Sequence, residues 1–183
     1  MYPGAMALRF FYCLVAFFTV AAGTGSPPAH AAATPCIAVF DFELVDGSLD
    51  GEINGVKAGE ENRLRLLTSQ LRDWVGGHVG QVVCDMEPVR AEAHAANLSA
   101  CGCIPRLAQA VGGDLAIVSS VHKISNLILN IRVDVFDARS NRLLAQFNAD
   151  IRSNSDNSWK RGLQWLIDHR LSGALAAIEA SRS

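Results

Sequence analysis

The chain has 183 residues, of which 50% are hydrophobic and 19% charged, with a formal net charge of −2. This length and apolar content are typical of one globular domain with its own core. Since positive charge is not in excess, the sequence offers no basic surface for phosphates, and we do not expect a nucleic acid partner.

The first 31 residues have the order of a secretory signal peptide. Arg9 is followed by the apolar run 10–22, and a stretch with Gly, Ser and Pro leads to Ala29-His30-Ala31. The run is shorter than the roughly 20 residues that span a bilayer, which argues against a membrane anchor. We therefore expect cleavage near Ala31, a periplasmic or secreted protein without a transmembrane segment, and a single α/β domain over 32–183.

The first half of this domain has the pattern of alternating strands and helices. Short apolar, β-branched runs indicate strands, and apolar residues repeating every three to four positions indicate amphipathic helices. Strand and helix in alternation favour parallel pairing through right-handed crossovers. The expected strands are 36–42 and 81–84, the helices are 60–75, 88–97 and 105–111, and 43–59 is expected to be a long loop.

The second half has the pattern of an antiparallel hairpin next to a central strand. Residues 114–121 are apolar on both faces, whereas 126–137 and 142–151 alternate apolar and polar residues, with a polar turn between them. A helix carrying the apolar residues from Trp159 to Ile178 follows the run of capping side chains 153–158. We therefore predict a mixed α/β fold in which about five strands form one sheet, parallel in its N-terminal half, packed by about four helices.

Four cysteines remain after the expected cleavage: Cys36, Cys84, Cys101 and Cys103. In an oxidising compartment an even number suggests disulfides, and four thiols allow three connectivities. Cys101 and Cys103 could close on each other, which leaves Cys36 for Cys84, and this is the pairing that we expect. A zinc site is disfavoured because the C-x-C spacing is tighter than that of usual zinc ligands, whereas a redox role of this pair stays open.

The segment 41–54 is rich in acidic residues. It leaves the carboxyl end of the first strand, where open α/β sheets tend to bind ligands. The segment fits the first half of a calcium loop, but Lys57 stands where a bidentate Glu is needed. A hard-cation site is therefore the less favoured interpretation and a solvated loop the favoured one. Its candidate ligands are Asp41, Glu43, Asp46 and Asp50.

Asp41 and Glu43 are also a candidate pair of carboxylates for binding or acid–base chemistry. They alternate with two phenylalanines, so both side chains are expected on one face of the strand. The more common role of such residues is a bond to a neighbouring element, and Arg161 at the head of the last helix is the expected partner.

Three further residues are candidates for contacts with a ligand or partner. Asn126 and Asn130 are expected on one strand face beside Arg132, although a solvent-facing surface is the favoured interpretation. Trp165 does not align with the apolar stripe of the last helix, and an exposed tryptophan there would mark an interaction patch.

Three segments resemble a family of exported bacterial proteins catalogued as a domain of unknown function (DUF3280, also DUF2380). Their most specific motifs are Phe40-Asp41-Phe42-Glu43-Leu44, Ser125-Asn126-Leu127-Ile128-Leu129-Asn130 and Ser158-Trp159 with Arg161-Gly162. The order of elements is more distantly similar to TolB N-terminal-like domains and to the curli-assembly lipoprotein group. That likeness implies an α/β fold and a role in the envelope through protein binding.

The sequence leads to three functional hypotheses. The first is an exported, non-catalytic accessory or binding protein that contacts an envelope or exported protein and needs no cofactor. The alternative is a carrier of a small ligand or cation that uses the acidic segment. A thiol-redox or hydrolytic enzyme is the least favoured, since no nucleophile with a histidine partner is apparent.

Overall fold

The computed structural model describes residues 36–77, 81–98 and 100–182; the expected signal peptide lies outside them. The strands are β1 (Cys36–Val39), β2 (Glu43–Asp46), β3 (Gly113–Ser125), β4 (Ile128–Asp137) and β5 (Leu143–Ile151). The helices are α1 (Leu49–Asn54), α2 (Ala58–Gly77), α3 (Glu87–Ala95), α4 (Ile104–Ala110), α5 (Asp156–Leu166) and α6 (Ser172–Ala180), with a π-helical turn, Ile167–Leu171, between the last two.

The five strands form one mixed sheet, so the predicted fold class is confirmed. β3 is central: β1 and β2 both pair with it in parallel along one edge, and β4 pairs with it antiparallel along the other. β5 follows β4, also antiparallel. The parallel N-terminal part and the antiparallel hairpin are therefore arranged as the sequence predicts.

A one-residue bulge separates β1 from β2. Val39 pairs with Ile117 and Glu43 pairs with Ser120, so three residues, 40–42, lie opposite two on β3. An extra residue inverts the alternation of side chains in the strand that follows it. For this reason the predicted strand 36–42 ends early, and a second strand begins within the predicted loop.

The rest of the predicted loop also has structure. Ser48 caps α1 by accepting a hydrogen bond from the Gly51 amide at 3.0 Å, and α2 begins at Ala58. The predicted strand 81–84, in contrast, is reduced to a bridge in which Val83 pairs with Ile37. The expectation of a loop over 43–59 was wrong, because local composition does not reveal which segment finds the open edge of β3. Residues 82–84 do lie beside β1 as a strand would, with two hydrogen bonds to Ile37, but they pair no further.

The sheet has a hydrophobic core on each face. On the first face α2, α5 and α6 cover the sheet with residues such as Leu67, Trp159 and Leu175. On the second face α3 and α4 cover only one end, around Phe40 and Leu107. The remaining part of the second face carries polar side chains, which is the solvated hairpin face that the alternating pattern predicts.

The cysteines form two disulfides in the structure. Cys36 is bonded to Cys84, which ties β1 to the segment before α3, and Cys101 is bonded to Cys103 within the loop before α4. Cys84 is 5% exposed, whereas Cys101 lies at the surface. The first bond is therefore part of the second core, and the second bond belongs to an exposed loop.

Candidate functional site

A buried lysine forms ion pairs with the carboxylates of the acidic segment. The Lys123 Nζ atom lies 2.9 Å from Asp46 Oδ2, 2.8 Å from Glu60 Oε1 and 3.7 Å from Asp50 Oδ2. The side chains of Lys123 and Glu60 are 0% and 1% exposed. Lys57 also pairs with Asp50 on the outside. The chain itself thus provides the positive charge at the point where the sequence suggested a hard cation.

The protonation states of this cluster follow from its hydrogen bonds. Burial alone would raise the pKa of Asp46 and of Glu60, but the bonds from Lys123, with others from Ser48 and Asn154, outweigh it and hold both pKa values below the ordinary range. Burial likewise opposes the charge on Lys123, whereas its two carboxylates raise its pKa. Hydrogen bonds from Lys57 and Asn54 lower the pKa of Asp50 to about 2. The cluster is therefore fully ionised near neutral pH.

Sequence reasoning missed Lys123, although a signal was present. The buried residues of β3 on the first face alternate from Leu115 to Val121, and Lys123 continues the same alternation. A longer predicted strand would have placed the lysine under the beginning of α2.

A groove of about 540 Å³ lies where the bulge separates the two strands. Its floor is the segment from Phe40 to Val45; α2 forms one wall through Leu64 and Arg72, and α3 with the residues after it forms the other. It continues into a second hollow of about 600 Å³ along α2. The groove thus lies at the carboxyl end of β1, the position at which open α/β sheets usually bind ligands.

Asp41 lies in this groove, but not beside Arg161 as predicted. Its carboxylate is 2.8 Å from Arg72 Nη2 and 4.0 Å from Arg90 Nε. Arg72 also donates two hydrogen bonds to the Val39 carbonyl, of 3.1 and 2.8 Å. The prediction of Arg161 was wrong because the bulge turns Asp41 towards the middle of α2, away from α5.

Glu43 lies on the opposite side of the bulge from Asp41, so the two carboxylates do not share a strand face. Its Oε1 atom accepts a hydrogen bond from the Leu98 amide at 3.4 Å. Burial raises the pKa of Glu43, and this effect exceeds the lowering by the Leu98 amide and by the charge of His94. The two acids that the sequence suggested as a catalytic pair therefore have separate partners, Arg72 and Arg90 for Asp41 and the Leu98 amide for Glu43.

The uncovered part of the second sheet face carries a polar set that the sequence indicated only partly. His122 Nε2 lies 3.1 Å from Ser120 Oγ, and Arg132 Nε donates to both oxygens of Asp134, at 3.1 and 2.8 Å. Asn130 donates to Asp150 at 2.8 Å. Ser120, His122, Arg132 and Asp134 line a hollow of about 390 Å³ beneath the Cys101–Cys103 loop, whereas Asn130 and Asp150 do not belong to its lining. The Asp134 carboxylate is thus paired with Arg132, and the histidine has Ser120 as its hydrogen-bond partner.

The other candidates lie apart from the groove. Asn126 belongs to the turn before β4, not to the strand, and its side chain accepts from Asn154 at 3.1 Å. Arg161 is exposed on α5 beside a shallow depression. Trp165 is 43% exposed and stacks on His169 with ring centroids 4.9 Å apart. The structure thus brings only Asp41 and Glu43 together in one hollow.

One end of the molecule exposes large aliphatic side chains. Leu49 and Ile53 stand one turn apart on α1 and are each 71% exposed. The β3–β4 turn lies at the same end, since the Gly47 amide donates to the Lys123 carbonyl at 2.9 Å, and it exposes Ile124, Leu127 and Ile128 by 57% or more. Patches of this kind are typical of contact surfaces.

Within the described ranges, no helix is long and apolar enough to cross a membrane. The part of the chain that the structure describes also contains no group of three or more His, Cys, Asp or Glu side chains placed to hold a metal ion.

Residues 35–171 match the model of the DUF3280 family, described as "Protein of unknown function (DUF2380)". No curated protein matches the chain significantly.

Several solved structures are similar in outline. The LpoB C-terminal domain from Salmonella enterica is 11% identical, covering 68% of this chain and 87% of its own, with a TM-score of 0.48. Lipoprotein GNA1162 from Neisseria meningitidis is 18% identical, covering 80% and 94%, with a TM-score of 0.44. The hypothetical protein CT253 from Chlamydia trachomatis is 13% identical, covering 78% and 99%, with a TM-score of 0.49. At these TM-scores the likenesses carry no argument about function.

Proposed function

Because the chain belongs to the DUF3280 family, whose description assigns no activity, we propose its function from its own geometry: it is an exported, non-catalytic accessory or binding protein that acts through contact with another envelope or exported protein. The observation that carries this proposal is the groove beside the bulge. Export rests on the N-terminal sequence pattern, with cleavage near Ala31.

The lining of the groove supports binding better than catalysis. Leu44, Val56 and Leu64 supply apolar surface, and Val56 is 50% exposed. At the rim, the Asp41 carboxylate is already paired with Arg72 and the Glu43 carboxylate with an amide. An apolar centre with a polar rim is the usual composition of a protein–protein contact.

The acidic segment supports the alternative, a cation carrier, less well. Asp46 and Asp50 both face the buried Lys123 ammonium, so a divalent cation would have to displace a positive charge that the fold provides. Removing such a charge from between carboxylates breaks a buried ion pair, which is costly. Protein contact through the groove is therefore the function that we put forward.

Photocrosslinking tests the proposal. A photoreactive amino acid at Val56 should give a defined adduct with an exported protein, and excess unlabelled chain should compete it away. The same group at Gln146, exposed on β5 at the opposite sheet edge, is the matched control and should give none. The partner, once purified, should bind the chain more weakly when Val56 is replaced by Asp. Lack of any competable adduct from the groove would refute the proposed function.

A further inference from the structure

The outer edge of β2 is open in the groove. Gly47 donates its amide to the Lys123 carbonyl, which places the main chain of alternate residues, Val45 and Gly47, towards β3. In a parallel ladder the residues between them point the opposite way, so the amide and carbonyl of Leu44 face outward. Apart from the ladder with β3, the described residues make no hydrogen bond to the main chain of Leu44.

Elsewhere along the same edge of the sheet, the outward-facing main-chain groups form hydrogen bonds within the chain. Beside β1, the Ile37 amide donates to the Val82 carbonyl at 2.8 Å, and Ile37 accepts from the Cys84 amide at 3.0 Å. At the bulge the Phe42 amide donates to Thr68 Oγ1 at 2.9 Å. After Cys84 the chain turns away into α3. Residues 82–84 thus lie beside β1 as an additional strand would. No described residue extends this strand alongside β2.

The groove coincides with this vacant strand position. The side chain of Leu44 packs towards the first core, whereas Glu43 and Val45 line the hollow on the second face, and all three border the groove. The groove therefore runs along the edge of β2 and touches both faces of the sheet. The four residues of β2 offer an edge of about 13 Å at roughly 3.3 Å per residue.

Main-chain groups that face a groove favour one kind of occupant. A helix uses its own main-chain groups internally and cannot satisfy those of Leu44, whereas an extended segment presents free amides and carbonyls. Opposite charges offset each other along the rim, where Asp41, Glu43 and Glu61 stand with Arg72 and Arg90. A segment without strong net charge, with an aliphatic side chain towards Leu44 and Leu64, therefore matches the site.

We propose that the groove binds an extended peptide segment of another protein, which adds as a strand beside β2. This inference rests on the proposed function and specifies the partner's binding element. The segment bonds through its own main chain to the Leu44 amide and carbonyl, and alternate side chains enter the space between Leu44, Val56 and Leu64. β2 thereby gains a second neighbour, as β1 already has one in residues 82–84.

The test uses ten-residue peptides selected from a random library on the purified mature chain. Each residue of a selected peptide is N-methylated in turn, which removes one amide donor at a time. Added-strand binding predicts a loss of affinity on the order of tenfold at every second residue. On the protein, hydrogen exchange at the Leu44 amide should slow when the peptide is present, while Val45, already bonded to β3, should not change.

Two variants provide the controls. Val56→Asp places a charge in the groove and should weaken peptide binding by about tenfold. Leu143→Asp adds the same charge on β5 at a side chain that is 45% exposed and outside the groove lining, and should leave binding unchanged. Both positions lie at the surface, so both variants should fold.

The outcomes separate the two proposals. If no peptide is selected, if N-methylation shows a spacing of three or four residues, or if Leu44 exchange is unaffected, then the added-strand inference is overturned. Should competable crosslinks from Val56 persist in that case, the binding function stands with a different partner surface. Loss of both crosslinks and peptide binding overturns both proposals.

Discussion

The ammonium nitrogen of Lys123 lies 2.8 Å from a carboxylate oxygen of Glu60, and both side chains are almost completely buried. This ion pair joins the end of the central strand to the first turn of α2. Asp46 at the end of β2 accepts from the same ammonium at 2.9 Å. Three elements around the acidic segment are therefore fixed to a single nitrogen atom.

Replacing Lys123 by Met should destabilise the protein strongly. Asp46 and Glu60 would be left buried without a cation, and breaking a buried pair in this way typically costs about 3–5 kcal/mol. Urea denaturation followed by circular dichroism measures the loss. Lys160→Met, at an exposed position on α5, is the control and should change stability by less than about 0.5 kcal/mol. Equal effects of the two substitutions would contradict the role of the pair.

The same pair should make stability depend on acid. Asp46 and Glu60 have pKa values below the ordinary range in the folded chain, so the unfolded chain binds more protons. Their contribution is therefore present above about pH 4, near the unfolded pKa values, and is lost as pH falls further.

In Lys123→Met the two acids have no cation, and burial with mutual repulsion should raise their pKa values. Acid then favours the folded state, so the deficit of the variant relative to wild type should shrink between pH 7 and pH 4. Melting temperatures over this range decide the matter; a constant deficit would show that the carboxylates do not sense Lys123.

Gly162→Ala and Gly173→Ala should have opposite effects. A Cβ atom at Gly162 would lie 2.5 Å from Ile151 Cγ2 and 3.1 Å from Ile131 Cδ1, because α5 packs closely on the sheet. Overpacking costs about 1–3 kcal/mol, which exceeds the helix-propensity gain of about 1 kcal/mol. At Gly173 no atom lies within 4 Å, so only the gain remains. Thermal denaturation should show a lower melting temperature for the first variant and a higher one for the second.

The two disulfides should differ in their effect on stability. Cys36 and Cys84 are 48 residues apart in sequence, whereas Cys101 and Cys103 are two apart. In the loop-entropy description, removing the first bond by a double Ala substitution should cost about 4 kcal/mol and removing the second less than about 2 kcal/mol. Guanidinium denaturation compares them. If removing the Cys101–Cys103 bond proved the more damaging change, the loop-entropy account would fail here.

The sequence was sufficient for the elements with long, regular patterns. The alternation in residues 126–137 and 142–151 predicted the hairpin, the helical period predicted α2, and three short motifs predicted the family, which the match over 35–171 confirms. These elements each bury one face, and the regular spacing of their apolar residues therefore predicts them from the sequence.

The candidate site was predictable only in part. Asp41 and Glu43 lie in the groove as expected for residues at the end of a strand, but their partners, Arg72 and Leu98, come from distant segments. The acidic residues Asp46 and Asp50 suggested a cation, and the positive charge proved to be that of Lys123. The cation with which a carboxylate pairs is determined by tertiary contacts. The spacing of residues within 41–54 therefore cannot predict it.

The extra residue at 40–42 is absorbed between β1 and β2, because both strands keep their register with β3 on either side of it. Deletion of one of the three residues would therefore leave residues 43–46 opposite 120–123 and on their present faces, with Asp46 still beside the ammonium of Lys123. The deletion would remove only the irregular segment, in which the Asp41 carboxylate meets Arg72 and the Phe42 amide meets Thr68. The floor of the groove can thus change in length by one amino acid without disturbing the buried ion pair, and natural variants should tolerate such a change between Val39 and Glu43 better than one within β2.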